Sequence, residues 1–376
     1  MPQGSTLGPL FFLLYINDMA CCIEELTLNL TQFADDSTMT YSSKDLEKAI
    51  ETTKAELNRI LKWLAANKLI INLDKTELML FTNKNRPESI SINVRDHTIK
   101  EVTETKFLGV IIDNKLCWKA HINYISKKIS KSISLLKMLK YTFPSRILKS
   151  MYYSFVYPYF TYCNLIWGGA AKTHLESLIL LQKKCVRIIN KVGYYDSTKP
   201  LFIELNLLTV EQIYEFNCAK FIFCSFNNIK YAEFSNRLVT NNSLHNYQTR
   251  SAKQFRKEYT RLQKFMNSFL NKGIEMWNSL PEYIKNVKAL QTFKKKTKDY
   301  IIGKCKFCNL KEIGNEYHYL LICPAFNISR MEHIKKYYYN QPNTNKLTQL
   351  LNIQDCSEIL HLERFKEIIY KQVKSQ

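Results

Sequence analysis

Hydrophobic residues along this chain follow two rhythms. Near the N-terminus they form short runs that alternate with polar residues. Further on they recur every three or four positions. Residues 7–16, LGPLFFLLYI, form an apolar run with Pro9 where a helix can begin, and predict one packed helix. Residues 26–43, LTLNLTQFADDSTMTYSS, alternate around a central Asp-Asp and predict two short strands joined by a tight turn at 35–36. Ser42 and Ser43 offer a cap for the next helix, where Leu46, Ile50, Leu57, Ile60, Leu61 and Leu64 recur at helical spacing. Residues 67–82, NKLIINLDKTELMLFT, alternate again and predict a strand, a turn and a strand. Residues 105–118, TKFLGVIIDNKLCW, predict a further strand pair with its polar turn near Asp113-Asn114.

From 119 to about 192 the pattern is helical and basic. Ile122, Ile125, Ile129, Ile133 and Leu136 share one face, with lysines on the other, and Pro144 and Pro158 punctuate the run. Residues 200–300 predict further helices with clusters such as RSAKQFRKEYTR and FKKKTK, and 331–376 a helical tail. No tandem repeat or low-complexity linker interrupts the chain.

Composition sharpens this picture. The chain has 376 residues, 46% of them hydrophobic, with only 9 Gly and 9 Pro, which favours a helix-rich protein of two or three domains. Net charge is +21 and unevenly spread: residues 1–100 carry 11 basic and 13 acidic side chains, residues 101–200 carry 16 and 5. A near-neutral front followed by a basic middle suits a site plus a polyanion track; a lysine-rich solvated surface gives the same count. The 11 cysteines are odd in number and sit mostly in apolar contexts, which points to a reducing compartment. No apolar run reaches the ~18 residues of a membrane span. Residues 7–16 imitate a secretory core, but no basic residue precedes them and Asp18 follows, so the expectation is an intracellular protein, nuclear or cytoplasmic, that is not secreted.

Two clusters carry candidate chemistry. Asp35 and Asp36 are adjacent like charges that repel each other. Either they lie in a solvated turn or a divalent cation binds there. Cys305, Cys308, His318 and Cys323 have the spacing C-x2-C-x9-H-x4-C, which suits a tetrahedral zinc ion; a helical hairpin with His318 and Cys323 in its core is the other reading. The remaining histidines have no cluster partners.

The order of these features resembles the palm of a reverse transcriptase, and more narrowly the polymerase of jockey-like non-long-terminal-repeat retrotransposons. The residues carrying the resemblance are PQGSTLGPLFFLLYINDM (2–19), FADD (33–36), NKLIINLDKTELMLF (67–81) and FLGVIIDNKLCWKAHI (107–122). GIEMWNSLP (273–281) and the Cys/His cluster extend it across nearly the whole chain. The resemblance implies an α+β fold: a partial reverse transcriptase palm, a small antiparallel sheet with helices, over 1–118, then a mostly helical remainder. That remainder divides into a basic helical thumb (119–192), a helical connecting region (193–300), a zinc knuckle (301–330) and a helical tail (331–376). It implies RNA-directed DNA synthesis on an RNA template and DNA primer, with Mg2+ held by Asp35 and Asp36. Lys75 would lie near the leaving pyrophosphate, Gln3 and Gly4 beside the incoming nucleotide, and Phe107, Leu108 and Gly109 at the primer end. Zn2+ would occupy the Cys/His cluster.

One departure matters. In such polymerases a further aspartate, on a strand before the Gly turn, completes the metal site, and here the turn follows Met1 at once. The expectation is therefore a fragment that is inactive alone. Competing readings are a non-catalytic basic zinc-containing nucleic-acid-binding protein and a group II intron maturase; FADD and the C-terminal cysteines favour the retrotransposon over the maturase.

Overall fold

A computed structural model of the chain describes residues 5–84, 89–94, 97–243, 251–303, 307, 314 and 316–375. Gln3, Gly4, Cys305 and Cys308 lie outside the described residues. The chain divides into two compact units, Met1–Leu116 and Cys117–Gln376.

The first unit combines α1 (Gly8–Ile16) and α2 (Leu46–Ala66) with three antiparallel hairpins: β1 (Asn29–Phe33) with β2 (Asp36–Thr40), β3 (Ser91–Val94) with β4 (His97–Lys100), and β5 (Glu104–Phe107) with β6 (Val110–Asp113). Pro9 stands in the first turn of α1, as the sequence predicts. That helix is apolar on every side and leaves Leu10, Phe11, Leu13, Leu14 and Tyr15 exposed. Asp45 caps α2 by accepting from the Glu47 amide at 3.0 Å. Leu57 and Leu61 of α2 form a small core with Ile92, Val94 and Ile99 of the β3–β4 hairpin, and Met39 and Leu78 pack at its edge.

Several expectations for this unit need correction. The sheet is three separate two-stranded pieces rather than one. Residues 67–82 form no strand pair. Asn72 draws the chain into a 3-10 turn, Leu73–Lys75, accepting from the Lys75 amide at 3.3 Å, and Thr76 Oγ1 donates to the Asn72 carbonyl at 2.9 Å. Local side-chain bonds of this kind compete with a ladder. A single bridge, Leu78 to Glu101, is the only strand pairing there among the described residues. The last hairpin turns at Leu108-Gly109, not near Asp113-Asn114. Gly109 takes φ 81°, the left-handed conformation a tight hairpin turn requires and glycine adopts at least cost, and Asp113 instead ends β6, its carboxylate accepting from the Lys115 amide at 3.1 Å.

The second unit is helical: α3 (Lys119–Met138), α4 (Ser145–Phe155), α5 (Tyr157–Thr161), α6 (Asn164–Trp167), α7 (Lys172–Ile189), α8 (Lys199–Glu204), α9 (Val210–Phe226), α10 (Gln263–Met266), α11 (Phe269–Ser279), α12 (Glu282–Lys285) and α13 (Leu290–Gly303), then α14 (Asn327–His333), α15 (Lys336–Tyr339), α16 (Thr344–Leu351) and α17 (Cys356–Ser375). The Ile122–Leu136 face of α3 is buried as its spacing predicts, with Lys127, Lys128, Lys131 and Lys137 exposed opposite. The central α9 is buried on nearly all sides and capped by a box in which Thr209 and Gln212 bond each other's backbone. Helix α11 lies close against it because Gly273 has no side chain: a Cβ there would meet Ile222 Cγ1 at 2.8 Å and the Cys218 carbonyl at 3.0 Å. Trp277, from the same GIEMWNSLP stretch, packs on Phe223, Phe255 and Phe293. That stretch is therefore core.

Candidate functional site

The β1–β2 hairpin pairs Phe33 with Asp36, so Ala34 and Asp35 are its two loop residues. The turn sits one position earlier than the alternation predicts. Ala34 has φ 52°, and positive φ at the first loop position alone is the pattern of a II′ turn, where glycine is usual. This conformation costs an L-residue about 1 kcal/mol. It sets Asp35 in the loop and Asp36 at the first residue of β2, both exposed. Two carboxylates thus crown one short ribbon.

Polar side chains hold the segment leading into the ribbon and its first strand. Glu56 of α2 is buried and accepts the amides of Glu24 at 3.3 Å and Glu25 at 3.2 Å. Arg59 Nη1 donates to Glu56 at 2.5 Å, and Nη2 reaches Glu24 at 2.5 Å. Gln32 Nε2 donates to the Ile16 carbonyl at 3.3 Å and ties β1 to the end of α1. The signal for Glu56 was a carboxylate on the apolar face of α2, just before Leu57 and four residues before Ile60.

Lys75 ends the 3-10 turn with its side chain exposed, and no hydrogen bond or ion pair joins it to either aspartate. Phe107, Leu108 and Gly109 form the tip of the β5–β6 hairpin. Leu108 at φ 44° and Gly109 at φ 81° give the double positive φ of a I′ turn.

The donor chemistry at the β1–β2 tip suits a hard divalent cation, because both groups offer carboxylate oxygen. The set is incomplete: among the described residues no three His, Cys, Asp or Glu side chains gather into a metal-binding group. His318 and Cys323 are both buried, His318 opening a π-turn (His318–Ile322) whose end is closed by the Cys323 amide donating to the His318 carbonyl at 2.7 Å. Arg330, also buried, donates to the carbonyls of Tyr319, Leu320 and Cys323 and to Asn327 Oδ1, and so braces that turn.

Comparison with known proteins bears on the first unit. Residues 1–112 match the family described as reverse transcriptase (RNA-dependent DNA polymerase). This segment is similar to the reverse transcriptases. The chain is similar to the "Probable RNA-directed DNA polymerase from transposon BS" of Drosophila melanogaster, at 28% identity over 56% of this chain and 24% of that protein. It is similar to its X-element counterpart from the same fly, at 27% over 56% and 24%. It also resembles the "RNA-directed DNA polymerase from mobile element jockey" of Drosophila funebris, at 25% over 55% and 23%. The chain thus spans about a quarter of the length of the curated relatives it matches. The resemblance to jockey-like retrotransposon polymerases stands, over about half of the chain rather than nearly all of it. No solved structure matches significantly. Among the described residues no helix is long and apolar enough to cross a membrane.

Proposed function

We propose that this chain supplies part of an RNA-directed DNA polymerase, with Asp35 and Asp36 as metal-holding carboxylates at the β1–β2 tip. The observation that carries the reading is the pairing of Phe33 with Asp36, which seats two adjacent carboxylates on a rigid tip inside the segment that matches the family. Bound Mg2+ would supply charge stabilisation for the attacking and leaving oxygens of an in-line nucleotidyl transfer. The chain's own residues hold and orient: Glu56 fixes the segment leading into β1, Gln32 ties β1 to the end of α1 one pair from the tip, and the strained Ala34 turn shapes the tip itself. Lys75 is assigned to neutralise the leaving pyrophosphate, Gln3 and Gly4 to flank the incoming nucleotide, and Phe107, Leu108 and Gly109 to hold the primer end. Residues 1–118 act as partial palm and 119–192 as thumb, where the exposed lysines of α3 contact backbone phosphates of template RNA and primer DNA.

Two carboxylates from one tip do not surround two ions, so the chain alone is inactive and gains activity when a third carboxylate is supplied in trans. Primer extension on an RNA template tests this. The purified chain incorporates no dNTP; mixed with an upstream palm segment of a related polymerase it does, and Asp35→Ala abolishes the gain. Incorporation that survives Asp35→Ala would overturn the assignment. For zinc at Cys305, Cys308, His318 and Cys323, the support is ligand type and spacing. Chelation then lowers the melting temperature and added Zn2+ restores it; an unchanged melt removes the ion from the account.

A further inference from the structure

A cavity of about 320 Å³ lies among α4, α5, α9 and α13, lined by Tyr153, Tyr157, Phe216, Lys294, Lys295 and Lys298. Its basic wall is built by sequence spacing. Gln291, Lys294, Lys295 and Lys298 stand at i, i+3, i+4 and i+7, one face of α13, while Phe293, Thr297, Tyr300 and Ile301 turn into the core. The aromatic wall is Tyr153 against Tyr157, ring centroids 5.1 Å apart and planes 64° apart.

Ammonium groups outnumber carboxylates here. Among the described residues none of Lys149, Lys220, Lys294, Lys295 and Lys298 forms an ion pair. Burial holds Lys298 below the ordinary lysine range, and Lys149 pushes it the same way against a weaker pull from Asp299. Burial, with Lys294 and Lys230, does the same to Lys220, whose Nζ finds only Asn217 Oδ1 at 3.4 Å. Like charges drawn together without ion-pair partners are costly, and a bound anion offsets the cost.

We infer that this cavity holds one nucleotide of a single-stranded nucleic acid, its phosphate among Lys294, Lys295 and Lys298 and its base against Tyr153 and Tyr157. Three features select that ligand class. Clustered ammonium groups bind phosphate as point charges. Tyrosine faces stack bases with little regard to sequence. A space of about 320 Å³ admits a splayed nucleotide. The inference rests on the reading that the chain handles nucleic acid, but places a contact well outside the segment that matches reverse transcriptases.

Fluorescence anisotropy with a short labelled oligouridylate and the full chain, at about 0.15 M salt, tests it. The Lys294→Gln/Lys298→Gln variant binds about tenfold more weakly, whereas Lys366→Gln/Lys371→Gln, which removes the same charge from α17, costs less. Tyr153→Ala, at a half-exposed ring, costs about tenfold, and 5-iodouracil in the strand crosslinks to Tyr153 or Tyr157. UMP displaces the strand at lower concentration than inorganic phosphate. Circular dichroism melts confirm folded variants, with Lys295→Gln as the milder substitute. Equal losses for the two lysine pairs together with a change below twofold for Tyr153→Ala overturn the inference, as does tight binding of an abasic strand or a wild-type chain that binds no strand. None of these readouts needs dNTP incorporation, so an inactive polymerase leaves them intact.

Discussion

Arg330 Nη2 donates to the carbonyl oxygen of Cys323 at 2.8 Å, deep in a cluster that includes Leu320, Phe326 and Phe365. The same guanidinium takes the Leu320 carbonyl through Nε at 2.6 Å and the Tyr319 carbonyl through Nη2 at 3.1 Å. One planar cation thus satisfies three backbone acceptors of the π-turn and the residue that ends it. Arg330→Met removes every donor and leaves those carbonyls buried. We expect a loss of about 2–4 kcal/mol, read as earlier melting and faster proteolysis near 318–326. Arg330→Lys, with a compact head, recovers little of it.

The α9–α11 contact makes a second test. Gly273→Ala adds a methyl group that gains helix propensity but meets Ile222 and the Cys218 carbonyl. The carbonyl belongs to the backbone of α9 and cannot move aside cheaply. Overpacking of this kind costs about 1–3 kcal/mol, so the urea midpoint falls. Trimming Ile222 to Val in the same chain restores only part of it.

At the Asp-Asp tip the opposite sign is expected. Ala34→Gly relieves the positive φ and stabilises the hairpin by about 0.5–1 kcal/mol. Hydrogen exchange across residues 26–43 then slows, and Ala34→Val accelerates it.

His121 gives a pH dependence. It is buried on α3, 5.7 Å from the Trp167 ring by centroids, and burial lowers its imidazole from the ordinary 6.5. The fold therefore prefers the neutral ring, and the unfolded chain takes the proton first as pH falls. Stability from this residue is complete above pH 6.5 and is lost between that value and the lower folded one. Melting temperature should drop through that window in the wild type, and His121→Gln should flatten the drop.

Much of the second unit was legible. The isoleucine face of α3 repeats at helical spacing, and periodicity alone buries it. In the first unit the β1–β2 hairpin was legible but shifted by one, because its alternation fits either register and only the backbone puts alanine where glycine is usual. Residues 67–82 misled because Asn72 spends its side chain on a local turn. The β3–β4 hairpin went unread, though Ile92, Val94 and Ile99 alternate, since four residues per strand carry little signal. Gln182 and Arg330 were invisible for another reason. Gln182 bonds Tyr152 Oη, the Leu208 carbonyl and the Val210 amide, partners that no local spacing reveals. In sequence each looks like any solvated polar residue.

The nine-residue α1 shows water Leu10, Phe11, Leu13, Leu14 and Tyr15, with no charged side chain anywhere along it. Such a surface is adhesive. A purified sample will self-associate as concentration rises, and mild detergent or a Leu14→Lys change, at the most exposed of these side chains, should keep it dispersed without touching the ribbon that bears the carboxylates.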